Sequence, residues 1–433
     1  MTGTPHEWRP ARLKYEAGCN RSVLAEDTDP DYEFVYVDIG DVTQGHMDVD
    51  HPTTTFGAAP SRARRLAATG DIAVSTVRTY LRAVAEVPES DEPLVLSTGF
   101  AVLHPSSGVV RRWLAYYLQS DAFVSRVVAY SDGVSYPAIA ASRLMSFGLL
   151  LPPPNVQQAI ADFLDEQASR IDTLIDKQTQ LITTLRERRA AITLQTVTKG
   201  RRANASHRPS GLRWAGDVPA AWDVANIRRY ATMKTGHTPS RFNSEFWYNC
   251  TIPWLTLADV WQLRDGRATY LTEETATRIN EAGLENSSAE LLPAGTVVLS
   301  RTASVGFSGI MPVPMATSQD YWNWVCGPKL LPTFLLATFR AMSNELGSLV
   351  MGSTHKTIYQ PVAASMSIVI PPLDEQQEIV DFLGEQTSRI DALIAKTEEH
   401  MALAKERRAA LITAAVTGQI DVGTAARAME GVA

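Results

Sequence analysis

Two stretches of the 433-residue chain decide its fold: PPPNVQQAIADFLDEQASRIDTLIDK at 152–177 and PPLDEQQEIVDFLGEQTSRIDALIAK at 371–396. They align without a gap at an offset of 219 residues, and the similarity extends to Val197-Thr198 and Val416-Thr417. About half of the aligned positions are identical, far more than unrelated segments share. The period is much longer than a solenoid repeat. It therefore indicates that a whole unit, a globular region followed by a long helix, is duplicated.

Each repeated segment predicts a long helix. The proline pairs at 152–153 and 371–372 end a preceding strand. After Pro154, no Pro or Gly occurs until Gly200 in the first copy, and after Pro372 only Gly384 interrupts the second before Gly418. About 45 residues at ~1.5 Å each give a rod of roughly 65–70 Å.

A hydrophobic period of seven residues runs along both predicted helices. One seam carries Leu164, Ile171, Gln178, Leu185 and Ile192, repeated as Leu383, Ile390, Thr397, Ala404 and Leu411. The other is predicted to carry Ile160, Gln167, Leu174, Leu181 and Arg188, repeated as Ile379, Gln386, Leu393, His400 and Arg407. We expect the two helices to pack antiparallel and to hold the globular parts at opposite ends. The alternative is that each is an ordinary amphipathic helix of its own domain.

The globular regions carry weaker echoes of the same duplication. Trp8–Leu13 resembles Trp222–Ile227, and the Gly turn and β-branched strand at Gly70–Ser75 resemble those at Gly295–Ser300. The segments 133–139 and 352–358 occupy comparable places before the repeated prolines. The globular parts are therefore predicted to share a fold although their sequences have diverged.

The predicted fold class is α+β. Two globular domains are separated by two long antiparallel helices in a coiled coil, related by a pseudo-two-fold internal repeat. The predicted boundaries are 1–151 for the first domain, 152–200 for the first helix, 201–370 for a linker and the second domain, 371–420 for the second helix and 421–433 for a C-terminal tail. The polar, basic segment Lys199–Arg213, which begins at the end of the first helix and continues into the third range, is predicted to be a linker.

Composition excludes several classes of protein. No stretch of ~18 apolar residues occurs, and MTGTPHEWRP lacks the apolar run of a signal peptide, so we expect a cytoplasmic protein without a membrane partner. Cys19, Cys250 and Cys326 lie too far apart in sequence for a CxxC metal site or a disulfide framework. The net charge of −7 is unevenly spread: residues 1–151 are net negative and 201–370 net positive. Charge alone therefore neither supports nor excludes DNA binding.

Motifs of catalysis are missing from the sequence. It has no GxxxxGK[ST] loop, no GxGxxG after a strand, no HExxH and no cluster of His and Cys ligands. The sequence thus offers no positive reason to assign a catalytic or metal site to this chain. Five tryptophans in the second half are predicted to be core residues: Trp247, Trp254, Trp261, Trp322 and Trp324.

Polar loops rich in Arg, hydroxyl and aromatic residues remain as candidates for a binding site. These residue types bond to phosphates and to base edges, although a solvated or structural role is the alternative for each. The candidate DNA-binding residues are Arg62, Arg64, Arg65, Arg78, Tyr80, Arg82, Tyr136, Arg241, Arg301, Gln319, His355 and Lys356. The repeated Arg186-Glu187-Arg188-Arg189 and Lys405-Glu406-Arg407-Arg408 could face a partner or DNA, or complement the helix dipole.

The order of parts resembles the specificity (S) subunit of type I restriction–modification systems. The resemblance rests on a variable globular region, a QQ-x-I-x-DFL-x-EQ-x-SRID helix, and a second copy of each. Gly216–Trp222 and Lys234–Ser240 also look like that family. The resemblance covers essentially the whole chain, and the duplicated helix is its most specific part.

The resemblance implies a function in phage defence. Each globular region would be a target recognition domain that reads one half of a split, asymmetric site on double-stranded DNA, with the paired helices as the spacer. The helices would also dock two methyltransferase (M) subunits, and two restriction (R) subunits would complete the endonuclease. The chain itself would bind no cofactor, and S-adenosylmethionine, ATP and magnesium are expected on the partner subunits. The alternatives are an enzyme with a divergent site and a coiled-coil scaffold without a role on DNA.

Overall fold

The computed structural model describes residues 8–202, 205–350 and 357–422. Two compact units are present. The first comprises the chain up to Gln178 and from Glu399 onward, and the second comprises Thr179–Glu398. Each unit therefore contains one globular region, the first part of one long helix and the last part of the other.

The strands are short and lie in the globular regions of the two units. They are β1 (Arg9–Arg12), β2 (Ala17–Cys19), β3 (Glu33–Val37), β4 (Val42–Thr43), β5 (His46–Met47), β6 (Thr54–Thr55), β7 (Ala63–Ala67), β8 (Ile72–Ser75), β9 (Val84–Glu86), β10 (Leu94–Ser97), β11 (Phe100–Pro105), β12 (Gly148–Leu151), β13 (His207–Pro209), β14 (Asp217–Pro219), β15 (Asp223–Asn226), β16 (Ala231–Thr235), β17 (Ile252–Leu255), β18 (Thr277–Ile279), β19 (Val297–Ser300), β20 (Ser308–Ile310), β21 (Ala316–Thr317), β22 (Tyr321–Cys326) and β23 (Ser367–Ile370).

Two of the helices are far longer than the others. The helices are α1 (Leu13–Glu16), α2 (Arg111–Gln119), α3 (Asp121–Ala129), α4 (Ala141–Met145), α5 (Pro154–Lys199), α6 (Glu281–Glu285), α7 (Pro332–Ala341), α8 (Ser343–Ser348), α9 (Gln360–Ser365) and α10 (Leu373–Val416). The long helices α5 and α10 contain 46 and 44 residues. Shorter 3-10 turns lie at Ile39–Asp41, Thr79–Leu81, Ile227–Arg229, Ser244–Trp247 and Leu257–Leu263.

The two globular regions are built from equivalent sheets. An antiparallel sheet has the order β2-β11-β8-β9 in the first unit and β16-β22-β19-β20 in the second. A second sheet contains one parallel pair in each unit, β3 with β10 and β17 with β21. The strand that opens each region pairs with the strand before the long helix, β1 with β12 and β15 with β23. The predicted α+β duplication is confirmed.

The predicted Gly turns have the same backbone in both units. Gly70 and Gly295 both have φ of +84°, a conformation that glycine adopts without steric cost, and each precedes the strand β8 or β19. The N–H of Gly70 donates to the Val87 carbonyl, and that of Gly295 donates to the Met311 carbonyl, both at 2.9 Å. Each turn therefore fixes where a central strand of its sheet begins.

A buried glutamine joins each long helix to its globular region. Gln157 Oε1 accepts from the Val110 N–H at 2.8 Å, and its Nε2 donates to the Pro152 carbonyl at 2.8 Å. Gln376 repeats this arrangement with the Leu331 N–H and the Pro371 carbonyl, both at 2.9 Å. Both glutamines are fully buried, so these bonds satisfy polar atoms that water cannot reach. These hydrogen bonds give the first Gln of each repeated QQ pair a structural role.

The long helices pack together antiparallel, as an ion pair in each unit shows. Arg408 lies 2.9 Å from Asp172 in the first unit, and Arg189 lies 3.0 Å from Asp391 in the second. Each pair joins the Asp of one SRID motif to the last Arg of the charged motif in the other copy. Arg189 and Arg408 therefore hold the helices together. This is a different role from the contact with a partner or DNA, or the interaction with the helix dipole, that the sequence suggested for these motifs.

One of the two predicted seams is wrong over most of its length. Its first two residues in each copy are buried or half-buried and the remaining ones are exposed: Ile160, Gln167, Ile379 and Gln386 form the buried part. The seam through Leu164 and Leu383 is buried or half-buried along its whole length. Of the other, Leu174, Leu181 and Leu393 are 46%, 48% and 54% exposed. The residues that take its place are Ala168, Ile175, Ile182, Arg189 and Thr196, with Thr387, Ile394, Met401, Arg408 and Ala415. Positions three and four residues beyond a heptad site are both compatible with a seven-residue period. Apolar residues stand at both positions in the pairs Leu174/Ile175, Leu181/Ile182 and Leu393/Ile394.

Two smaller expectations also need correction. The segment predicted to be a linker contains the strand β13, which pairs with β14 around a turn. Trp254, Trp322 and Trp324 are buried as predicted, whereas Trp261 is 63% exposed on a 3-10 turn.

We expect the two interhelical ion pairs to differ in their contribution to stability. In the Arg189–Asp391 pair both side chains are at least four-fifths buried, whereas Asp172 in the other pair is 49% exposed. Asp391→Asn should therefore lower the free energy of unfolding by about 2–3 kcal/mol, and Asp172→Asn by less than about 1 kcal/mol. Urea denaturation of both variants makes the comparison, and equal losses would contradict it.

Candidate nucleic-acid interface

The first loop cluster comprises residues 76–82 and 131–138 of the first unit. The Arg78 N–H donates to the Pro137 carbonyl at 2.8 Å, and Val77 forms a bridge with Ala138. The Arg78 guanidinium lies 4.8 Å from the centre of the Tyr136 ring. Tyr136 and Tyr80 are 63% and 54% exposed. The cluster thus presents one cation and two aromatic rings to solvent.

The Arg62 backbone lies close to the first loop cluster. The Arg62 carbonyl accepts from the Thr98 N–H, and the next residue, Gly99, accepts from Thr76. The structure therefore brings together Arg78, Tyr80 and Tyr136, and residues 98–99 connect the Arg62 backbone to the cluster.

Three other candidates of the first unit interact within the unit. The Arg64 guanidinium lies 4.6 Å from the centre of the Phe56 ring, and its Nη1 donates to the Ala63 carbonyl. Arg65 is half-buried on β7. Arg82 forms an ion pair with Asp121 at the start of α3. Arg64 and Arg82 thus have structural partners, and the Nε of Arg65 is buried without a hydrogen-bond partner in the described part of the chain. All three are therefore weaker candidates for DNA contact than the exposed Arg62 and Arg78.

The second loop cluster comprises residues 236–241, 300–306 and 318–320 of the second unit. The Arg301 N–H donates to the Asp320 carbonyl at 2.9 Å, and Gln319 Oε1 accepts from the Thr238 hydroxyl at 2.6 Å. The Arg241 guanidinium lies 5.0 Å from the centre of the Trp247 ring. The structure thus brings Arg241, Arg301 and Gln319 into one cluster. His355 and Lys356 lie outside the described residues.

The two loop clusters have the same backbone scaffold and unlike side chains. The Val77–Ala138 bridge corresponds to a Thr302–Thr357 bridge in the second unit. The residues Arg78 and Ala303, one position further along each loop, both have positive φ, 51° and 59°. A shared scaffold that carries different polar side chains is what two readers of different sequences require.

Arg301 is held in place by an aromatic ring. Its guanidinium lies 4.3 Å from the centre of the Trp322 ring, and the Trp322 Nε1 donates to the Ile358 carbonyl at 2.9 Å. Burial lowers the pKa of Arg301 below its ordinary value. The Arg301 Nε has no hydrogen-bond partner in the described part of the chain. A guanidinium held in one orientation by stacking suits recognition of an acceptor such as guanine or phosphate.

Sequence reasoning missed two exposed apolar side chains in these loops. Phe242, next to Arg241, and Val134, two residues before Tyr136, are fully exposed. Apolar side chains presented to solvent beside cations are found in proteins that insert them between base steps. The signal available in the sequence was a single aromatic residue inside the polar run Ser240-Arg241-Phe242-Asn243.

Among the described residues there is neither a candidate membrane-spanning helix nor a candidate metal site. No helix among them combines the length and apolarity that a membrane crossing needs. No group of three or more His, Cys, Asp and Glu side chains among them could hold a metal ion.

Comparison with known proteins identifies the duplicated unit. The family model described as "Type I restriction modification DNA specificity domain" matches residues 15–184 and again residues 219–400. The chain belongs to the type I restriction–modification specificity (S) subunits. An S subunit supplies DNA specificity within the restriction–modification complex and is a recognition subunit, not a catalytic one.

Individual relatives agree with the family assignment. The MjaIX specificity subunit of Methanocaldococcus jannaschii is 28% identical over 39% of this chain and 38% of its own length. The EcoR124I/EcoR124II specificity subunit of Escherichia coli is 26% identical over 35% of this chain and 37% of its own length. The chain thus matches little more than a third of each of these two relatives.

A solved structure has the same fold over nearly the whole chain. It was determined in work on complex assembly and conformational transition of the type I restriction–modification system, and it superposes with a TM-score of 0.73 at 22% identity. The match covers 96% of this S subunit and 100% of the solved chain.

We expect Arg301 to read one base pair of the DNA target. If it donates to a guanine, Arg301→Ala should cost about 1–3 kcal/mol of binding and relax the preference at one position. Binding of the complex to a set of single-base variants at several salt concentrations tests this. A uniform loss with a smaller salt slope would indicate a phosphate contact instead, and unchanged binding would show that the loop faces away from DNA.

Proposed function

We propose that this S subunit reads a bipartite, asymmetric site on double-stranded DNA, one half with each loop cluster. The observation that carries the proposal is the pairing of a common scaffold with different side chains. The bridges Val77–Ala138 and Thr302–Thr357 position the loops alike. The side chains differ between the clusters. The first carries Arg78 and Tyr136, and the second carries Arg241, Arg301 and Gln319.

The candidate DNA-contacting residues follow from exposure and internal partners. Arg62, Arg78, Tyr80 and Tyr136 would act in the first unit, and Arg241, Arg301 and Gln319 in the second. His355 and Lys356 are also proposed to contact DNA, because they directly precede Thr357 of the second bridge in the sequence. Net charge is a weak objection, since phosphate binding depends on local charge and partner subunits can supply part of it.

We further propose that the paired helices set the distance between the half-sites and dock two M subunits. The reciprocal ion pairs and the continuous seam through Leu164 and Leu383 support a stiff connection. The exposed Leu174, Leu181 and Leu393 support a protein partner, because these apolar side chains lie on the helices without burial in this chain. Two R subunits would join the full endonuclease, in the cytoplasm. S-adenosylmethionine, ATP and magnesium would bind to those partners and not to this chain.

Exchange of a globular region tests the modular part of the proposal. Replacing residues 1–151 with the equivalent region of another S subunit should change one half-site and leave the other intact, because each unit has its own sheets and core. Mapping of adenine methylation in cells that express the chimaera with its M subunit gives the result. Alteration of both half-sites would contradict separate readers.

Lengthening both helices tests the spacer. Seven residues inserted after Gln180 and after Glu399, positions related by the 219-residue offset, preserve the seams and add roughly 10 Å of helix. At ~3.4 Å per base pair this is about three base pairs, so the gap should grow by two to four base pairs with unchanged half-sites.

A four-residue insertion at the same two points is the matched control. It disrupts the heptad and should destabilise the chain. A folded, active seven-residue variant with an unchanged gap would show that the helices do not set the spacing.

A further inference from the structure

The first unit contains a carboxylate network between α2 and α5. Asp165 accepts from Arg112 Nε and from the Tyr116 hydroxyl, both at 2.6 Å. Burial is the main cause that raises the pKa of Tyr116 well above its ordinary value, so the phenol stays protonated and donates to Asp165. Asp165 is therefore the carboxylate that joins α2 to α5, and Glu86, at 3.5 Å from Arg112 Nη1, is a second carboxylate partner of Arg112.

The second unit lacks this network at the equivalent positions. The Val110 and Leu331 N–H groups bind equivalent glutamines, which aligns α2 with α7 at an offset of 221. By this alignment Arg112 and Tyr116 correspond to Thr333 and Ala337, and by the 219-residue repeat Asp165 corresponds to Gly384. The burial pattern agrees, since the aligned positions Trp113/Phe334, Leu114/Leu335 and Leu118/Phe339 are all fully buried.

A cavity of about 100 Å³ remains where these smaller residues stand. Four threonines line it, together with two arginines and apolar parts of α7 and α10. The polar lining residues are Thr193, Thr269, Thr333, Thr387, Arg189 and Arg340. The Thr193 and Thr387 hydroxyls already donate to the Arg189 and Leu383 carbonyls. The cavity therefore offers the hydroxyls of Thr269 and Thr333 and guanidinium groups as donors, and none of its lining residues is a carboxylate.

Of the two arginines that line this cavity, Arg189 has an ion-pair partner, whereas Arg340 has none among the described residues. It stands where the first unit has Gln119, and its Nη2 donates to the Ala268 carbonyl at 2.6 Å. Its Nε is buried and has no hydrogen-bond partner, and no carboxylate lies within ion-pair distance of Arg340, among the described residues. Burial and the nearby Arg189 lower its pKa to about 10, so Arg340 is still a cation at neutral pH.

An open cleft of about 470 Å³ shares Arg189, Thr193 and Arg340 with this cavity. Arg186, Arg264, Ser308 and Ser343 also line it, and Asp265 is its one lining carboxylate. The neighbouring carboxylates already have partners. Asp391 pairs with Arg189, Glu398 with Arg186 and Arg267, and Asp265 with Arg267. The five arginines therefore outnumber the three carboxylates around this part of the second unit.

We propose that the second unit binds a phosphate group in this cavity, next to Arg340. The phosphate occupies the place that the Asp165 carboxylate fills in the first unit and accepts from Arg340 and from threonine hydroxyls. Guanidinium groups bind phosphate through charge-assisted hydrogen bonds, which are shorter and stronger than those between neutral groups. The phosphate is either inorganic phosphate or the phosphate end of a nucleotide whose remainder lies in the cleft.

Titration of the full chain with inorganic phosphate tests the proposal. Isothermal titration calorimetry should show one saturable site, and the same phosphate should raise Tm by at least about 3 °C relative to chloride at equal ionic strength. Arg340→Gln, which installs the residue of the first unit, should weaken phosphate binding at least tenfold. Arg389→Gln is the matched control, because it removes an exposed arginine of the same unit, and it should leave binding unchanged.

Gly384→Asp is a second variant that does not remove a buried charge. A Cβ atom at Gly384 would meet no other atom within 4 Å, so the side chain can be accommodated. The new carboxylate should compete with phosphate, so Tm without phosphate should not fall and the response to phosphate should be lost. Phosphate stabilises proteins in general, so the evidence for a site is the difference between the parent chain and its variants in the rise of Tm with phosphate.

The source of the phosphate is decided by comparing inorganic phosphate with ATP and AMP. Binding of a nucleotide at least tenfold tighter than inorganic phosphate identifies a nucleotide site, and equal affinities identify a site for the free ion. Absence of saturable binding, or equal binding by the parent chain, Arg340→Gln and Gly384→Asp, would overturn the proposal. DNA recognition by the loop clusters is independent of either result.

Discussion

The reciprocal pairing of one Asp–Arg couple is the constraint on which the rest of the molecule depends. A duplicated helix can satisfy its own motif only against the other copy, because Asp172 and Arg189 lie on one helix and cannot reach each other. In the antiparallel arrangement, the Asp of each SRID motif meets the last Arg of the other copy. The same exchange occurs in both units, so one duplicated sequence specifies the direction and the register of the pair.

The buried glutamines transmit this register to the globular regions. Gln157 and Gln376 each bind the proline carbonyl that precedes their own helix and the N–H group at the start of α2 or α7. A shift of a long helix by one residue would leave four buried polar groups without partners, which is costly in each case. The sheets are therefore attached to the helices at a fixed place, and the loops at their ends can vary in sequence without disturbing the connection.

Prediction from the sequence succeeded where a pattern was duplicated and failed where side chains had to be oriented. The long helices, their direction and the Gly70 and Gly295 turns follow from repetition, since two copies constrain one backbone. The second seam failed because Leu174 and Ile175 are both apolar, and only packing decides which one is buried. Of the candidate arginines, Arg82 could not be distinguished from Arg78 by composition, because its partner Asp121 is remote in sequence.

The side-chain differences between the two units are of two kinds: some residues differ singly, and others differ as a group of residues in contact. Loop residues differ singly, as expected for surfaces that meet different base pairs. By contrast, three contacting residues of the first unit, Arg112, Tyr116 and Asp165, are replaced together by Thr333, Ala337 and Gly384. Loss of Asp165 alone would have removed the acceptor of both Arg112 Nε and the Tyr116 hydroxyl, and would have left Arg112 with Glu86 as its carboxylate partner. The combined replacement removes the old cation, yet Arg340 adds a new one beside the space, so the second unit has kept a cation there while losing the carboxylate.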